Sequence, residues 1–208
     1  MKTEFTLDDI KRLMVRKQYQ IYNDNYKLNI VGIRSVDKTI NIFNDTIVVF
    51  FKNGFTTEEF WFKATTDPGL PWLKKLMNPK GTAILKPGQY INSWKLALHR
   101  GKYEALVQYK PVEVYRDNNL DDKIDINEKT IESGLFGINI HRANAFGLSA
   151  YVGEHSAGCQ VIRDPKEFTD KFMTFVKKHK ELYGNSFTYT LINEEEIKLF
   201  LENKDIKV

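Results

Sequence analysis

A strand-like run, Gly137-Ile138-Asn139-Ile140-His141, ends in an imidazole, and eighteen residues later the turn Ser156-Ala157-Gly158-Cys159 presents the only thiol of the chain. Cysteine chemistry needs a thiolate. A neighbouring imidazole can draw the thiol pKa down from about 8.5, hold the proton and return it to a leaving group. Ala157 and Gly158 let backbone approach a substrate closely, so the amides of Gly158 and Cys159 are candidate donors to a tetrahedral oxyanion. Cys159 as nucleophile, His141 as base and this turn as the electrophilic site would together support acyl transfer.

Further polar candidates stand near that pair. His99 and Arg100, in Leu98-His99-Arg100-Gly101, and Arg142, directly after His141, are candidates for lining a pocket, the two guanidiniums by gripping a substrate carboxylate. His155 and Gln160 flank the cysteine turn as substrate-binding candidates. A zinc site from His99, His141 and Cys159 would lack the short paired-ligand spacing of such centres, and thiol chemistry requires no cofactor. A separate segment places Asp117, Asn119, Asp121, Asp125 and Glu128 at positions 1, 3, 5, 9 and 12 of an EF-hand rhythm, which would hold a structural calcium through hard oxygens. Asp122 stands where that pattern has glycine, and a strand-like run rather than a helix precedes the loop. A solvated acidic hairpin loop is the competing reading.

The elements that must position these groups follow from composition and periodicity. The 208 residues are 42% hydrophobic with only 12 Gly and 6 Pro, which excludes collagen-like, low-complexity and wholly disordered chains. One cysteine excludes an intramolecular disulfide framework. The 31 Lys and Arg against 27 Asp and Glu leave +4, too sparse for a dedicated nucleic-acid binder. No run approaches the roughly 18 apolar residues of a membrane span. The first residues set acids beside bases with no apolar h-region, so the expectation is a protein made in the cytoplasm without a secretory signal peptide.

Thr6 before Leu7-Asp8-Asp9 reads as an N-cap, and Leu7, Ile10, Leu13 and Met14 recur at helical spacing. From Leu28 onward, runs of Ile, Val, Phe, Tyr and Thr between turn residues predict strands at Leu28–Ile33, Ile40–Phe43, Thr46–Lys52, Glu59–Ala64, Thr82–Leu85, Trp94–Leu98, Ala105–Gln108, Val112–Tyr115 and Gly137–His141. Helical periodicity returns after Asp164-Pro165, with Phe168, Phe172, Phe175 and Val176 on one face, and Glu194–Leu201 predicts a final helix. On that helical stretch His179, among Lys177, Lys178 and Lys180, reads as part of a solvated basic face. The expected architecture is therefore α+β: a mainly β single domain over 1–208, with an N-terminal helical extension (1–27) and a C-terminal helical region (165–208).

His141, the following loop and Ser156-Ala157-Gly158-Cys159 resemble the signature of the L,D-transpeptidase catalytic domain, the YkuD-like family, in which a strand-borne histidine precedes a Ser-His-Gly-Cys turn. The resemblance spans about residues 80 to 163 and is strongest over 137–162. It implies a β-sandwich or barrel holding the pair in a groove, with Cys159 as nucleophile and His141 as general base. It also implies that the backbone carbonyl of Arg142 orients the imidazole and that Ser156 and Gly158 shape the turn and oxyanion hole. Ala157 stands where the family has its second histidine, and Val161 where Arg or Asn is usual, which puts substrate orientation in question. The implied activity is attack on a peptidoglycan stem-peptide amide through a thioester. Hydrolysis, as an L,D-carboxypeptidase or endopeptidase of phage-endolysin type acting after release or from a virion, is the first expectation. Cross-linking by transpeptidation and a catalytically inactive wall-binding or virion module are the alternatives. No nucleic-acid partner is expected.

Overall fold

The computed structural model describes residues 5–205; residues 1–4 and 206–208, the outer ends of the two expected helical regions, lie outside the described residues. Eight strands close into a barrel, and a three-stranded sheet lies beside it. Helix α1 (Leu7–Arg16) begins with a capping box in which Thr6 and Asp9 satisfy each other's backbone amides. It buries Leu7, Ile10, Leu13 and Met14. Strands β1 (Asn29–Arg34), β2 (Asp45–Asn53) and β3 (Thr56–Thr65) follow as an antiparallel meander. A short helix, α2 (Leu70–Lys74), then leads to β4 (Thr82–Leu85), β5 (Gly88–His99), β6 (Tyr103–Gln108), β7 (Val112–Asp117), β8 (Glu132–Gly134), β9 (Ile140–Arg142) and β10 (Gln160–Ile162).

The chain ends with helical segments α3 (Pro165–Glu167) and α4 (Met173–Tyr183), joined through a π-helical turn, then β11 (Phe187–Asn193) and α5 (Glu194–Asp205). Barrel order is β1-β11-β5-β6-β9-β10-β3-β2, and the strand pairs β1–β11 and β9–β10 are parallel; β4, β7 and β8 form the second sheet. Among the described residues no helix is long and apolar enough to cross a membrane.

Alternation explains how the barrel is filled. The run Ile47–Phe51 is buried throughout because Ile47, Val49 and Phe51 face the interior while Val48 and Phe50 face the helices α1 and α5. Gly32 faces inward, where a Cβ would sit 1.8 Å from the Tyr189 hydroxyl, so only glycine leaves room for that ring. Tyr189 in turn donates to Gln160 Oε1 at 2.8 Å across the core.

Three elements correct the reading of the sequence. Ile40–Phe43 is not a strand: Asn41 has φ +63°, and its side-chain oxygen accepts from Gly153 N at 2.7 Å, so this run is a loop clamped to the 3₁₀ turn at Gly153, with only Phe43 fully buried. The C-terminal region is not wholly helical, since β11 threads the barrel between β1 and β5. Of the expected Gly137–His141 strand only Ile140 and His141 join a ladder, which runs on to Arg142. Before it, Phe136 N and Ile138 N both donate to Gln108 Oε1 (3.1 and 3.0 Å), so a side chain replaces a strand neighbour.

Candidate active site

The parallel pair β9–β10 sets the two main candidates on neighbouring chain segments, with no hydrogen bond between Cys159 and His141 among the described residues. Ile140 and Gln160 are paired and turn into the barrel, so the residues alternating with them, His141 and Cys159, project from its outer side. The turn before β10 is held from within. Ser156 is fully buried, donates from Oγ to Cys159 O at 2.8 Å and accepts from Gly158 N at 3.2 Å. Gly158 has φ +119°, and a Cβ there would lie 2.3 Å from Ala83 O of β4, so the turn depends on glycine both for conformation and for clearance. The expected oxyanion role of the Gly158 amide is thereby corrected, because Ser156 already occupies it. Among the described residues nothing accepts from the Cys159 amide.

Cys159 is half-buried on the wall of a cavity of about 450 Å³, whose other walls include Trp72, Ala83, His99, Arg100 and Phe136. Its thiol donates to Gly137 O at 3.3 Å, and Asn139 N lies 3.5 Å from the sulfur. Burial pushes the thiol pKa up, with the Asn139 amide and the Arg100 charge opposing it. The resting group is therefore a neutral thiol, not the thiolate that a neighbouring imidazolium would produce.

His141 is 3% exposed. Its Nδ1 lies 2.8 Å from Arg142 O, a bond only a protonated Nδ1 can make, and Tyr103 Oη sits 3.1 Å from the same nitrogen. Nε2 thus carries the lone pair, and among the described residues it is buried without a hydrogen-bond partner. Burial, with the adjacent His99, lowers the His141 pKa to about 3. The rings of His99 and His141 stack at 4.1 Å, and His141 itself is not on the cavity wall.

The other candidates disperse. Arg100 reaches the cavity from an exposed turn. The Arg142 guanidinium lies 4.1 Å over the Tyr103 ring, so its side chain serves that aromatic face rather than the cavity. Gln160 is a core residue and not a substrate contact: its amide donates to Thr66 O and Gly158 O and accepts from Tyr189. His155 stands in a 3₁₀ turn (Gly153–His155) away from the cavity wall, its Nε2 3.5 Å from Ser149 Oγ. His179 is corrected as well. It is 3% exposed, and its Nδ1 accepts from Leu28 N at 2.9 Å.

In the acidic loop, Asp117 Oδ2 accepts from Asp125 N at 3.0 Å, Asn119 Nδ2 bonds the carboxylates of both Asp121 and Asp125, and Glu128 turns away to accept from Tyr115 Oη at 2.9 Å. Among the described residues no group of three or more His, Cys, Asp or Glu is placed to hold a metal ion.

Residues missed by sequence reasoning are Gln108 and Asn139, together with the place of Tyr103 beside the His141 ring. Asn139 was accessible in principle, lying two positions before His141 and hence on the same side of an extended run. Tyr103 and Gln108 come from β6, whose alignment with β9 no local pattern encodes. Comparison with protein families, curated proteins and solved structures finds no match to this chain.

Proposed function

We propose that this protein is a cysteine-dependent peptidoglycan hydrolase of L,D-transpeptidase-like fold, cleaving stem-peptide amides through a thioester. The observation that carries the reading is the His141 Nε2 lone pair, desolvated and without a partner, on the strand beside the one that follows Cys159. In the proposed reaction Cys159 Sγ bonds the acyl carbon while its proton passes to His141 Nε2. The carbonyl π pair moves onto oxygen, and collapse of that oxyanion expels the amine, which takes the proton back. Water then repeats the sequence on the thioester and frees the enzyme. Arg100, at the cavity, is suited to a substrate carboxylate, and a net charge of +4 suits an anionic wall, reached after release or from a virion.

Mass spectrometry of muropeptides after incubation tests this. Wild-type protein releases stem-peptide fragments and Cys159→Ala releases none, with unchanged melting; equal release by both sinks the mechanism. Cross-linked products in place of fragments would assign transpeptidation. One observation favours a second reading, a silent wall-binding module: the thiol is neutral and bonded to Gly137 O. Wall pull-down without product, together with alkylation no faster than free cysteine, identifies that case.

A further inference from the structure

The two stacked imidazoles differ in tautomer, and the hydrogen bonds around them fix which is which. Gln108 N is a backbone donor and lies 3.0 Å from Asn139 Oδ1, so that atom is the amide oxygen and Asn139 Nδ2 is the donor on its other side. Asn139 Nδ2 lies 3.0 Å from His99 Nδ1. His99 Nδ1 is therefore the acceptor, and the ring proton resides on Nε2. The hydrogen bond to Asn139 engages Nδ1 and leaves Nε2–H on the far side of the ring, and His99 lines the same cavity as Cys159. His141 presents a lone pair and His99 presents an N–H: one ring accepts protons, the other donates a hydrogen bond.

We propose that His99 is a catalytic residue whose Nε2–H binds the oxyanion formed when Cys159 attacks an acyl group. The inference deepens the proposed function and rests on it. Its second support is that, among the described residues, the turn offers one uncommitted donor, the Cys159 amide, and a second must come from elsewhere. The Gly158 amide is committed to Ser156 Oγ, and Ala157 leaves the turn without an imidazole of its own. Charge states agree. Burial, with the charges of Arg100 and Arg142, lowers the His99 pKa to about 4, so the ring stays neutral and keeps this tautomer across ordinary working pH. A neutral imidazole held as a donor suits an oxyanion, because it strengthens its bond as charge develops without first giving up a proton. The step balances: the thiol proton goes to His141 Nε2, the acyl π pair goes to oxygen, and His99 only shares its proton throughout.

The experiment separates thiol reactivity from acyl transfer, in the full chain, without using the wall substrate. p-Nitrophenyl acetate acylates Cys159 through an oxyanion and releases p-nitrophenolate; iodoacetamide alkylates it by direct displacement with no oxyanion. His99→Phe keeps a ring for stacking on His141 and removes the N–H. The expected result is a loss in acetylation rate on the order of 10²-fold, as for removal of one oxyanion donor, with alkylation within about twofold of wild type. His99→Gln, which restores a distal N–H, recovers part of the acetylation rate, and melting curves identify any variant that fails to fold. Equal losses in both reactions, an unchanged acetylation rate, or wild-type acetylation no faster than free cysteine overturns the proposal. Normal acetylation without muropeptide cleavage overturns the proposed wall substrate instead and leaves the role of His99 standing.

Discussion

The barrel contains two parallel seams, and their outer sides are covered differently. At β1–β11 five residue pairs are in register, the inner side holds Ile30 and Leu191, and the outer side, Val31, Ile33 and Ile192, is packed under α1 and α5. At β9–β10 only three pairs are in register, and the outer side carries His141, with Cys159 just before it. Pairing geometry is the same in both. What differs is the cover: amphipathic helices demand apolar side chains beneath them, whereas the shorter seam adjoins a cavity, where polar groups can meet a ligand. The proposed chemistry falls at the seam that α1 and α5 do not cover.

Substitutions that strike one seam should leave the other's property intact. The largest effect is expected from Gly158→Ala, which places a Cβ against Ala83 O at a positive φ. The turn must shift, and muropeptide cleavage should fall by about 10²-fold or more, since misplacement of a reacting group by an ångström has that effect. In the helix-covered seam, Ile192→Ala should lower stability by roughly 2–5 kcal/mol by denaturant titration. Its cleavage rate per folded molecule should be unchanged; a tenfold loss would show that the seams are not separable.

A smaller and graded effect comes from acid. His179 has a folded pKa lowered to about 4 by burial, against 6.5 for the free side chain. Its stabilising contribution is therefore complete above pH 6.5 and is lost as pH falls from 6.5 towards 4, roughly 3 kcal/mol for that interval. Denaturation midpoints should fall between pH 7 and 4.5, and less steeply in His179→Asn, which keeps an acceptor for Leu28 N and cannot titrate. An identical slope in the variant would remove His179 as a cause. The smallest effect should come from calcium. The Asp117–Glu128 oxygens already accept hydrogen bonds from their own loop and from Tyr115, so millimolar calcium should move the melting temperature by less than about 1 °C; a shift of several degrees would restore the EF-hand-like reading.

Local signals carried most elements. Thr82–Leu85 has its expected bounds, and the capping box at Thr6 and the apolar spacing of α1 were written in adjacent residues. Phe187–Asn193 carried a strand composition too, yet two helices flank it and helical periodicity on both sides masked it. The residues around Cys159 were legible only as far as the chain stayed local. Ser156 and Gly158 sit in the same turn, but the stacking of His99 on His141 depends on closure of β5 and β6 against β9. Gln160 misled because a polar residue beside a thiol suggests a substrate contact, whereas alternation sends it inward to Tyr189.

Gln108 spends its whole side chain on chain segments that regular pairing leaves unserved. Its Oε1 accepts from Phe136 N and Ile138 N, and its Nε2 donates to Lys110 O and Gly134 O. Since Phe136 and Ile138 line the cavity, this amide acts as a splint that sets the cavity's stiffness from outside. The shape of the cavity is thus braced by a residue that is not on its wall. Damage at that splint would reach the thiol as well, because Gly137, the acceptor of its hydrogen bond, lies between the two braced residues.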